Sequence, residues 1–98
     1  MKGTKFVIIA DQASRLTRNK LSLALRALGE TAWWHQFQHA WLIIDPKNRD
    51  ATWWRDWCTG VAPELRIVVM AVELSGWAGR LPKDSAKWLH NNWKSGVE

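Results

Sequence analysis

Tyrosine is absent, cysteine occurs once, phenylalanine twice and proline three times in the 98 residues. Each shortage excludes something. The lone Cys58 excludes an internal disulfide, so burial of side chains must hold the chain together. No run of about 18 apolar residues exists, which excludes a membrane-spanning helix. The opening Met1-Lys2-Gly3-Thr4-Lys5-Phe6 lacks the apolar stretch of a signal peptide, so a reducing, cytoplasmic setting is expected. There is no Gly-rich phosphate loop, no G-x-S-x-G elbow and no zinc-finger spacing, and no strand carries the aromatic pattern of an RNA-recognition motif.

Tryptophan, by contrast, occurs nine times. Each can bury roughly 150–250 Å², so a small domain gains much of its core from few side chains. The length fits one domain spanning residues 1–98. The formal charge is +5, and its excess lies towards the two ends. Residues 1–30 hold six basic and two acidic groups, whereas residues 31–74 hold four and five. Such a distribution suits an anionic partner, DNA or RNA, as well as simple solubility.

The stretch Trp33 to Asp45, W-W-H-Q-F-Q-H-A-W-L-I-I-D, reads as two strands joined near Gln36-Phe37-Gln38. Trp41 to Ile44 is apolar at every position, so both faces of that strand need cover and the strand is central. Lys5 to Ala10 is a second two-sided strand, and Leu65 to Leu74 a third. Between the first two, Leu21, Ala24, Leu25 and Leu28 recur at helical spacing. Ser14 or Thr17 is placed to cap that helix and Gly29 to end it. Arg15, Arg18, Ser22 and Arg26 fall on its opposite side. A second helix after Pro46, capped by Asn48 or Asp50, aligns Trp53, Trp54, Trp57 and Cys58 before Gly60 and Pro63. Ser75 to Pro82 reads as a loop, and a last helix occupies about 83–94.

The order β-α-β-β-α-β plus a helix is that of an α+β, ferredoxin-like sandwich with an added C-terminal helix. Right-handed crossovers give strand order 4-1-3-2, with strands one and three expected to run parallel at the centre and both main helices on one face. The other face is apolar too. The ten residues Asp84 to Trp93 of that helix, about 15 Å long, cover only part of a four-stranded sheet, so a homodimer is expected to cover the rest.

With strands one and three parallel, Asp11 and Asp45 would emerge at the same end, close enough to share magnesium or manganese. No cofactor is required by the pattern, and helix capping is the plainer role for both. Glu73 would lie at the far end. His35 and His39 flank the hairpin turn as cross-strand polar residues, short of a zinc ligand set. Cys58 reads as a packed thiol. Arg15, Arg18, Lys20 and Arg26 are the candidate phosphate-binding residues, and Trp77, on a Gly-flanked loop, is the candidate anchor for a protein partner.

The short strand ending in Asp11, the A-W-L-I-I segment Ala40 to Ile44, the E-L-S-G-W-A segment Glu73 to Ala78 and the helix carrying Trp88-Leu89 together resemble the small SinR-like proteins. Those are similar to the ferredoxin-like subunit of CRISPR spacer acquisition and its toxin and antitoxin relatives. The resemblance implies a homodimer, and in the nuclease members an aspartate at the matching position serves a metal at the dimer interface; here that position is Asp11. Gln12-Ala13-Ser14 replaces the usual residues after it, and Ala10 stands where an aromatic is common. The leading expectation is a homodimeric module that binds nucleic acid or a nucleoprotein through basic surface. The alternatives are a metal-dependent nuclease using Asp11 and an antitoxin-like or phage-encoded protein-interaction module.

Overall fold

A computed structural model describes residues 3–73 and 78–93. Strand β1 (Thr4–Asp11), helix α1 (Arg15–Leu28), strands β2 (Ala32–Phe37) and β3 (Ala40–Asp45), helix α2 (Ala51–Val61) and strand β4 (Arg66–Val72) follow in order. Helix α3 (Lys83–Trp88) then continues as a π-helical turn, Leu89–Trp93. The strands form one sheet in the order β2-β3-β1-β4, the ferredoxin-like arrangement with an extra C-terminal helix.

Local chemistry explains each boundary. The Ser14 side chain accepts a hydrogen bond from the Thr17 amide at the start of α1, and Gly29 ends it with a φ of 77°. Asp50 does the same for α2 through the Trp53 amide at 2.8 Å. The hairpin turns at Gln38-His39, later than the sequence pattern suggests, because β2 carries a bulge between Trp34 and Phe37 that absorbs a residue.

One expectation is corrected. β1 runs antiparallel to both β3 and β4. The reason is topological: the α1 crossover returns β2 in the direction of β1, and the tight hairpin then reverses β3. Strands one and three are neighbours but point opposite ways.

The sheet faces follow from the register. Phe6, Ile8 and Ala10 stand opposite Ile43, Trp41 and the β4 residues Ala71, Val69 and Ile67. With Leu21 and Leu25 of α1 and Trp54 and Cys58 of α2, residues of this face form the main core. Burying apolar side chains of this size stabilises the fold by about 1.5–3 kcal/mol each. The second face carries a smaller cluster of Trp34, Ile44, Leu89 and Trp93, supported by Leu42, Val72 and Leu81. The Trp34 indole N–H donates to the Ser85 carbonyl at 3.2 Å, which ties α3 down.

Cover on the second face is graded along the strands. At the Asp45 end the C-terminal helix packs over it. At the Asp11 end, the register row Phe37, Ala40, Ile9 and Val68 crosses all four strands, and Ile9, Phe37 and Val68 are exposed, as is Met70 in the next row. An apolar groove of about 400 Å³ separates this open row from Leu89 and Trp93.

Candidate nucleic-acid interface

Helix α1 contains no acidic residue and four basic ones, Arg15, Arg18, Lys20 and Arg26. Thr17, Leu21 and Leu25 are its buried residues, so the helix presents the opposite face outward. Arg15, Lys20 and Arg26 lie there, exposed. Arg18 does not: it is half-buried and its Nη1 donates to the Ala13 carbonyl at 2.7 Å, bracing the loop before the helix. The structure thus brings together three of the four basic candidates and gives the fourth a supporting role.

Arg15 and Arg18 sit in the first turns of α1, where the helix dipole disfavours positive charge. Charge there does not serve the helix. Within electrostatic reach of Arg18, the His35 ring stacks on Trp41 with centroids 4.1 Å apart and planes 3° from parallel, and its Nδ1 lies 3.0 Å from the Ala40 carbonyl oxygen. Burial lowers the His35 pKa most; the Ala40 contact opposes it, and nearby Arg18 and then His39 add smaller lowering effects.

Two exposed leucines share the outer face of α1, Leu16 and Leu23. The Leu21, Ala24, Leu25, Leu28 stripe accounts for the apolar pattern of the helix without them. The available signal was their seven-residue spacing, out of phase with the Leu21, Leu25, Leu28 stripe.

The aspartates part company. Asp45 stands opposite Thr4 at the start of β1, while Asp11 ends β1 opposite Arg66. Seven residues of strand, about 23 Å, separate these ends, so the two cannot share a cation. Asp45 is moreover fully enclosed and saturated with donors. It accepts from the Lys47 amide at 3.0 Å, the Arg49 amide at 3.1 Å, the Trp54 indole at 3.0 Å and the Arg49 guanidinium at 2.9 and 3.0 Å. Burial alone would raise its pKa, but these hydrogen bonds together outweigh that and lower it. Gly3 packs so closely on the Asp45 carbonyl that a Cβ there would collide with it, and its φ of 149° also calls for glycine.

Asp11 is half-exposed and pairs loosely with Arg66 at 3.5 Å, a contact worth little. It lines a polar recess of about 230 Å³ with Ser14, Thr17 and Glu64. Thr17 Oγ1 donates to Glu64 at 3.2 Å. Among the described residues, no three His, Cys, Asp or Glu side chains gather as metal ligands would. Glu73, paired in sequence with the far end, does lie away from Asp11, one residue past the Lys5–Val72 pair. Cys58 is buried, and that burial pushes its thiol up to about 12, which suits packing and not nucleophilic attack. Trp77 lies outside the described residues. No described helix is long and apolar enough to cross a membrane.

Compared with known proteins, the chain matches no family model, no curated protein and no solved structure.

Proposed function

We propose that the chain is a small homodimeric module that binds nucleic acid by its phosphate backbone, using Arg15, Lys20 and Arg26 on the outer face of α1. The observation that carries this reading is a helix with four basic residues and no acidic one, three of them exposed on its outer face and one of these, Arg15, placed where the helix dipole opposes it. Phosphates satisfy that charge, and counterion release then drives binding. Dimerisation through the open end of the second sheet face is part of the proposal, supported by exposed Ile9, Phe37, Val68 and Met70. So is a reducing cytoplasmic setting, which suits a lone buried thiol. The resemblance of the A-W-L-I-I and E-L-S-G-W-A segments to SinR-like proteins points the same way.

The test is anisotropy of a labelled mixed-sequence oligonucleotide, DNA and RNA, with the salt raised stepwise. Binding is expected at low salt, weakening steeply as salt rises, and lost in the Arg15→Glu, Lys20→Glu, Arg26→Glu variant. Binding that survives this triple charge reversal overturns the reading. Light scattering on the same samples reports the dimer.

A further inference from the structure

The phosphate-binding reading accounts for the basic residues of α1 but leaves its two exposed leucines unexplained. Leu16 is 72% exposed and Leu23 is 62% exposed, and they are the two large apolar side chains that α1 turns to solvent. At about 100° per residue, Asn19, Leu23 and Leu16 fall within about 60° of one another along the crest of the outer face. Arg15 and Arg26 lie on one flank of that crest, and Lys20 lies on the other.

A crest with cations on both sides has the symmetry of a groove with phosphates on both walls. The major groove of B-form DNA is roughly 12 Å wide and admits one helix. The 14 residues of α1 span about 21 Å. Leu16 and Leu23 are separated by about 10 Å along the axis, the length of about three base steps. The chemistry of the crest also fits base edges: an Asn amide pairs with both N6 and N7 of adenine, and an apolar side chain contacts the thymine methyl. A-form RNA closes its major groove to side chains and offers neither.

Resting on the phosphate-binding reading, we infer that α1 enters the major groove of duplex DNA, with Asn19, Leu16 and Leu23 reading A·T-containing sequence between phosphate contacts from Arg15, Arg26 and Lys20. The ligand is therefore double-stranded DNA of a preferred sequence.

The experiment selects bound duplexes from a randomised 20-bp DNA library with the full chain. It then measures affinity for the selected duplex, a scrambled duplex, the matching double-stranded RNA and the single strand. The selected duplex is expected to contain A·T pairs and to bind at least tenfold more tightly than the others. Asn19→Ala and the Leu16→Ala, Leu23→Ala pair, all at exposed positions, are expected to erase that preference while leaving the salt dependence unchanged. Arg15→Gln with Arg26→Gln is expected to weaken every duplex alike and flatten the salt dependence. Equal binding of duplex RNA, or a preference that survives the crest substitutions, overturns groove reading while leaving phosphate binding intact. Failure of every nucleic acid to bind at low salt overturns both.

Discussion

Arg49 grips Asp45 with two parallel hydrogen bonds, Nε to Oδ2 at 2.9 Å and Nη2 to Oδ1 at 3.0 Å, while its guanidinium lies 4.0 Å from the centre of the Trp53 ring. The same arginine reaches Glu30 at 3.6 Å, so the end of β3, the start of α2 and the loop after α1 are joined through one side chain. Asp45 is fully buried, and a neutral asparagine there leaves the Arg49 guanidinium, the Trp54 indole and two backbone amides without the carboxylate they all donate to. Asp45→Asn is expected to cost about 3–5 kcal/mol, read from urea unfolding followed by circular dichroism. A loss under about 1 kcal/mol would show that water or rearrangement replaces the pair.

Acid sensitivity should trace to the same carboxylate. Its folded pKa lies below the ordinary 3.8, so the folded state holds the charged form more firmly than the unfolded chain does. The stabilisation is complete above that ordinary value and is lost as the pH falls through the folded pKa. The wild-type chain is therefore expected to lose stability progressively below about pH 4, and the Asp45→Asn variant to lack that share of the slope. Parallel acid titrations of the two proteins decide it. Equal slopes would place the sensitivity elsewhere.

Two buried tryptophans with opposite hydrogen bonding offer a sharper comparison. The Trp54 indole donates to Asp45 at 3.0 Å, whereas the Trp41 indole nitrogen meets no acceptor among the described residues. Trp54→Phe removes a bond to a charged group and is expected to cost about 1.5–3 kcal/mol beyond the lost volume. Trp41→Phe loses volume but also removes a buried, unsatisfied donor, so the smaller cost is expected there. Thermal midpoints of the two variants provide the measurement, and a larger drop for Trp41→Phe would contradict the assignment.

The fold was legible where pattern and topology agree. The two-sided apolar runs of β1 and β3 require central strands, and the Leu21, Leu25, Leu28 stripe and Trp54 with Cys58 require two helices on one face; all occupy those places. The strand order followed from the right-handed crossover. Strand direction is not legible in the pattern, nor is the separation of Asp11 from Asp45, since a strand's periodicity is the same read either way and only the count of reversals between β1 and β3 orients it. The role of Asp45 was hidden for another reason. Its partners Arg49 and Trp54 lie four and nine residues on, and nothing in a lone aspartate after an apolar strand shows whether it faces water or folds back on the next helix. The bulge in β2 shifted the turn to Gln38-His39 because bulges leave no compositional mark in a segment without glycine.

Cys58 provides a probe of how firmly α2 is held on the sheet. The thiol is 1% exposed, its pKa is pushed up to about 12 by burial, and it packs with Phe6, Leu25 and Trp54 in the main core. A thiol reagent can reach it only when α2 lifts or the domain opens. For a domain of ordinary stability, about 5 kcal/mol or more, the native chain should label at least about 10³-fold more slowly than the unfolded chain at the same pH. Stopped aliquots reacted with a chromogenic disulfide, with and without urea, give that ratio directly. Asp45→Asn should raise the native rate by the same factor that it lowers global stability if labelling follows global opening. If the rate rises much less, Cys58 is reached by a local opening at the far end of α2 that leaves the Trp54–Asp45 bond made. That outcome would make the end of α2 around Cys58 less stable than its start, which Asp50 caps and Asp45 holds through Trp54.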